Sequence, residues 1–129
     1  MKIVLSYADS DSVLARALAD RLAGAGLRVW FDAREIVPGD NWGAEVQRGL
    51  EDADALVVLL SPAAMRSRWV QRDIQYALGT PRFAGRLVPV QVRRTPSVPW
   101  MKAVHVIRAG RNLDDVARRI VNALEPSEN

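Results

Sequence analysis

Apolar residues along the chain follow two rhythms, short unbroken runs and longer stretches with a period near 3.6 residues. Ile3-Val4-Leu5 and the run 55–60 are continuous enough for strands buried on both faces, the stretches 27–31 and 87–92 read as a second and a fourth strand, and 104–107 makes a shorter, marginal fifth. Between the first two runs, Leu14, Ala17, Leu18, Leu22 and Ala25 recur at helical spacing, with Asp9, Ser10 or Asp11 available to cap and Gly24 and Gly26 to stop the helix. A loop at 32–39, turning at Pro38-Gly39, leads to a helix that Asp40 or Asn41 can cap, with Val46, Leu50 and Ala53 facing inward. Ser61-Pro62 has the form of an N-cap followed by proline at the first helical position. The helical pattern it opens runs to Leu78 with an interruption near Ser67, and Gly79-Thr80-Pro81 ends it. Pro89 cannot donate to a ladder, so the fourth strand is expected to be peripheral or bulged. Asn112 caps a last helix whose inner face is Leu113, Val116, Ala117, Ile120, Val121 and Leu124.

Strands alternating with helices at this spacing predict an α/β fold, an open five-stranded parallel sheet with helices on both faces and strand order 2-1-3-4-5. In such a sheet the ligand crevice lies beyond the carboxyl ends of the strands where the winding reverses, here between strands one and three. Residues 6–9 follow strand one and Ser61 follows strand three. Trp69 and Asp73, four residues apart, share one face of the next helix and can reach the same crevice. Val70, Ile74 and Ala77 form the neighbouring apolar stripe, leaving Trp69, Asp73 and Tyr76 along its margin. A carboxylate beside a ring at a core's edge can hold a hydroxylated or heteroaromatic ligand. The same spacing also fits a packing indole and a solvated helix charge near Arg66 or Arg72.

Composition narrows the chemistry. With 129 residues, 49% apolar and 26% charged, the chain suits one folded domain over 1–125, with a disordered tail at 126–129. No run approaches the roughly 18 apolar residues of a membrane span, and the apolar start at Met1-Lys2-Ile3-Val4-Leu5 is too short for a signal peptide, so a cytoplasmic location is expected. The absence of cysteine and the single histidine, His105, argue against thiolate metal sites and most metal or triad chemistry, so no metal is expected. Any catalysis must then rest on carboxylates, hydroxyls or arginines. The net charge of +3 is spread among Asp and Glu rather than gathered with aromatics on one face, which argues against a nucleic-acid partner.

Val4-Leu5-Ser6-Tyr7, Arg28-Val29-Trp30-Phe31-Asp32, Pro38-Gly39-Asp40-Asn41-Trp42, Leu59-Leu60-Ser61-Pro62, and Ser67-Arg68-Trp69 with Asp73 resemble, in order and spacing, the successive boxes of a bacterial Toll/interleukin-1 receptor (TIR) domain. The resemblance runs from residue 3 to about residue 124 and implies a flavodoxin-like fold. Enzymatic members of the family cleave the nicotinamide–ribose bond of NAD+, leaving ADP-ribose or a cyclic form of it, so NAD+ is implied as a substrate and no cofactor is expected. Their key residue is a glutamate four positions after the tryptophan, thought to hold the ribose hydroxyls and favour the oxocarbenium-like state as nicotinamide leaves. Here Asp73 occupies that position, and its shorter arm implies weak activity; Glu35 and Glu45 flank the loop bordering the crevice without standing in the family position. The resemblance further implies substrate contacts at Ser6, Ala8 and Asp9, whose amides suit a pyrophosphate, and at Trp42 and Trp69. It implies an assembly loop at 32–39, including Asp32, Arg34, Glu35, Pro38 and Gly39, through which such domains stack and complete one another's sites.

Three functions follow as expectations. The first is an effector that consumes NAD+ on self-assembly, in a setting such as bacterial antiphage defence or host interference. The second is a catalytically silent module that recruits other TIR domains, and the third is a sensor that binds a nucleotide without cleaving it.

Overall fold

The five apolar runs become five parallel strands in a computed structural model that describes residues 1–31 and 49–124. They are β1 (Lys2–Ser6), β2 (Arg28–Phe31), β3 (Ala55–Leu60), β4 (Leu87–Gln91) and β5 (Ile107–Arg108), in the order β2-β1-β3-β4-β5. The register runs through Ser6↔Val58, Val58↔Pro89 and Val90↔Ile107. All six residues of β3 are buried, as a central strand covered on both faces requires.

Side chains alternate across a strand, and this divides the core into two layers. Ile3, Leu5, Val57 and Leu59 face α1 (Ser12–Gly24) and the C-terminal helix α4 (Leu113–Leu124), meeting Leu18, Leu22, Val116 and Ile120. Val4, Leu56, Val58 and Leu60 face the other way, toward Val70, Ile74 and Ala77. Those three lie on α3 (Arg68–Leu78), which follows the short α2 (Pro62–Arg66). Leu50 and Ala53, at the end of a helical segment covering 49–52, close the same layer as expected.

Several sequence expectations hold at the level of single caps. Ser61 accepts from the Ala64 N–H at 3.1 Å with Pro62 at the first helical position, and Ser67 accepts from the Val70 N–H at 3.3 Å, so the interruption near Ser67 is a true junction between two helices. Asn112 caps α4 through the Asp115 N–H at 3.1 Å. Gly26, with φ +94°, closes α1 as its N–H bonds the Ala23 carbonyl at 3.0 Å.

Others need correction. The buried stripe of α1 is Ala15, Leu18, Ala19 and Leu22, while Leu14 and Ala17 are only half-buried and Ala25 is exposed; small alanines let the helix approach the sheet, rotating it from the face that leucine spacing suggests. The N-cap position of α1 falls to Asp11, which makes no side-chain cap hydrogen bond, and a 3₁₀ turn, Asp9–Asp11, precedes the helix. The fifth strand lies at Ile107–Arg108 rather than 104–107, because a 3₁₀ turn at Pro99–Ala103 occupies the approach. Nor is β4 an outer strand. Leu56 donates to the Arg86 carbonyl and Val92 to the Leu60 carbonyl, so even-numbered residues of β4 address β3 and Pro89 faces the other flank. On that flank β5 pairs only with Val90 and Gln91, so the missing N–H of Pro89 lacks no ladder partner.

Candidate functional site

The sheet winds one way from β1 to β2 and the other from β3 to β5, and the point of reversal is occupied by a cleft. One wall is the turn after β1, formed by Tyr7, Ala8, Asp9 and Ser10; the other is Ala63 of α2, Ser67 at the junction, and Trp69 of α3. Its volume is about 250 Å³.

The two walls are tied together beneath the cleft. The Asp11 N–H bonds the Ala8 carbonyl at 2.8 Å, which shapes the first wall. The Asp11 carboxylate, 2% exposed, accepts a 2.6 Å hydrogen bond from the Ser61 hydroxyl, and that hydroxyl also receives the Ala64 N–H. A single serine therefore fixes the start of α2 and anchors the turn after β1. The Arg93 guanidinium, on the loop after β4, lies 3.7 Å from the same carboxylate. A buried carboxylate needs such partners to offset its lost hydration.

Of the expected site residues, Ala8, Asp9 and Trp69 come together in the cleft. The Arg72 guanidinium sits 5.9 Å from the centroid of the Trp69 ring. Asp73 differs from both sequence readings, being neither marginal nor a solvated helix charge. It is 1% exposed, aligned with the stripe of Val70, Ile74 and Ala77 that seats α3 on the sheet. Ser6 is fully buried at the end of β1 and does not wall the cleft. It alternates with Val4 and Ala8, both members of the α3-facing layer, so its hydroxyl enters the layer that α3 covers. Among the described residues the Ser6 Oγ makes no hydrogen bond, an unusual state for a buried hydroxyl. Ser6 and Asp73 thus place polar atoms in one apolar layer, and Trp69, one turn before Asp73, leads from that layer to the cleft. Trp42 and the loop with Asp32, Arg34, Glu35, Pro38 and Gly39 lie outside the described residues, as does the tail at 126–129.

Sequence reasoning treated Asp11 as a possible helix cap and gave Arg93 no role. The Ser61–Asp11 bond joins residues fifty positions apart and the Arg93–Asp11 contact joins residues farther apart still, so no local spacing reveals either.

A sequence profile described as the TIR domain matches residues 3–125. The chain belongs to the TIR domain family. It is 30% identical over 71 residues to a 2′ cyclic ADP-D-ribose synthase of Bacteroides thetaiotaomicron, covering 54% of this chain and 25% of that protein. It is 32% identical over 73 residues to an NAD(+) hydrolase of Paracoccus denitrificans, covering 56% of this chain and 24% of that protein. The chain therefore spans about a quarter of the length of these relatives. In fold, this TIR domain is similar to the TIR domain of a Toll-related receptor of Hydra magnipapillata, with a TM-score of 0.72 and 17% identity over 92% of this chain and 89% of that one. It is also similar to a TIR-STING receptor of C. gigas, with a TM-score of 0.78 and 22% identity over 95% of this chain and 38% of that one. Both share the flavodoxin-like architecture that the strand order displays. No helix among the described residues is long and apolar enough to cross a membrane.

Proposed function

We propose that this TIR domain cleaves NAD+ at the nicotinamide–ribose bond when its copies self-assemble, with Asp73 as the catalytic carboxylate. The supporting observation is the burial of Asp73 one turn beyond Trp69, the aromatic wall of the cleft at the sheet's reversal point. A carboxylate withdrawn from water stabilises a developing positive charge far better than an exposed one. As the bond from ribose C1′ to the pyridinium nitrogen breaks, its electron pair moves to nicotinamide, which leaves neutral. The C1′ centre becomes oxocarbenium-like, and Asp73 offsets that charge while holding the ribose hydroxyls. Water then adds to C1′ and releases a proton to give ADP-ribose, or a hydroxyl of the same molecule adds to give a cyclic product. The Ala8-Asp9 turn lies along the nucleotide and Trp69 packs against it. Relatives that bear NAD+ hydrolase and cyclic ADP-ribose synthase names support this reading.

Asp73 stands where the family resemblance puts a glutamate, and its arm is shorter by one C–C bond, about 1.5 Å. A misplacement near 1 Å costs on the order of a hundredfold in rate, so turnover is slow. Asp73 is not among the residues that wall the cleft, and this favours a second reading, a silent module that recruits other TIR domains. Nicotinamide release from concentrated or surface-clustered protein, followed by chromatography, separates the two. The enzyme reading expects slow release by wild type, none by Asp73→Ala, and about a ten- to hundredfold gain in Asp73→Glu. Intact NAD+ with all three proteins overturns it and leaves the recruiting module.

A further inference from the structure

A second cleft, about 490 Å³, opens where β4 and β5 end, walled by Gln91, Arg93, Arg94, Thr95, Arg108 and neighbouring apolar atoms. Among the described residues, three arginines line it and no Asp or Glu does. Among the described residues, Arg94 and Arg108 form no ion pair, while Arg93 has the single contact to Asp11 at 3.7 Å. Like charges gathered in a concavity repel one another and focus a positive potential there. An anion relieves both effects, and the planar forks of arginine match the paired oxygens of a phosphate. Gln91 and Thr95, joined by a 3.2 Å hydrogen bond, add neutral polar groups to the wall. Among the described residues no aromatic side chain lines the cleft, so they offer no platform on which a base would stack.

We infer that this cleft is a binding site for a compact polyphosphate, a diphosphate or triphosphate group recognised through Arg93, Arg94 and Arg108. The volume suits a ligand of that size. The group can be inorganic or the phosphate end of a nucleotide. Arg93 is shared, since its guanidinium also faces the carboxylate that ties the two walls of the Trp69 cleft. A polyphosphate competes with Asp11 for Arg93, so occupancy of the second cleft reaches the first through one side chain. The site uses no residue that walls the Trp69 cleft, and its test does not depend on NAD+ turnover.

The test is a titration of the isotopically labelled chain with inorganic pyrophosphate, followed by amide NMR at an ionic strength held constant with sodium chloride. A parallel titration uses adenosine triphosphate. Saturable shifts are expected at residues 91–95 and 108–109, with smaller ones at Asp11 and Ser61. The Arg94→Ala/Arg108→Ala variant should bind at least tenfold more weakly at an unchanged thermal midpoint. Equal affinity for the two ligands assigns recognition to the phosphates alone, and tighter adenosine triphosphate assigns it to a nucleotide's phosphate end; both support the site. Shifts absent from these residues, or a double variant that binds as tightly as wild type, overturn it.

Discussion

Ser61 shows how much of this site hangs on one hydroxyl. It caps α2, holds the buried Asp11 carboxylate, and so sets the spacing between the walls of the Trp69 cleft. Ser61→Ala removes a cap and a short hydrogen bond to a charge together, a loss of about 1–3 kcal/mol, measurable as a lowered midpoint in urea denaturation. Ser61→Thr keeps the hydroxyl and should recover most of that loss. Ser6 is the complementary case. A buried hydroxyl with no hydrogen-bond partner among the described residues costs about 1–3 kcal/mol, and Ser6 lies in the layer beneath α3, with Asp73, rather than in the wall of the cleft. What could be read in sequence here was identity and spacing, namely Trp69, Asp73 and the cap at Ser61. Burial could not be read, because Asp73 has the polar identity of a surface residue and only the tilt of α3 on the sheet decides that it faces inward.

At the scale of elements, close approach sets the limits. A Cβ on Gly49 would lie 2.4 Å from the ring of Trp30 on β2, so the helical segment 49–52 packs on that indole only because glycine presents no side chain. Gly49→Ala must displace the ring and is expected to cost about 1–3 kcal/mol through overpacking, read by thermal denaturation and by a changed tryptophan fluorescence spectrum. Strand and helix order were legible in the sequence because β3 is apolar throughout and the later helices keep a 3.6-residue period behind serine and asparagine caps. The inner face of α1 was not, since alanine and leucine alternate there and hydrophobicity alone cannot tell the packing alanines, Ala15 and Ala19, from the half-buried Leu14. The position of Pro89 was also misjudged from composition. A proline is excluded from an inner strand only where its N–H is needed, and that depends on register, which no local pattern states.

For the whole molecule, the two clefts lie along one edge of the sheet, at the carboxyl ends of the strands, joined by the Arg93–Asp11 contact. If catalysis requires neighbouring copies, specific activity rises with protein concentration, and light scattering should report larger particles over the same range. A specific activity independent of concentration would place the complete site within one copy. The flank beyond β4 bears on how copies can meet. There β5 offers only Ile107 and Arg108, the latter an exposed cation, and the strand beside it carries an imino acid with nothing to donate. So brief and charged a border gives another polypeptide no backbone row on which to extend the sheet. On this side, association between molecules must be written in side chains, where it can be specific and reversible, rather than in the indiscriminate main-chain adhesion that leads to fibrils.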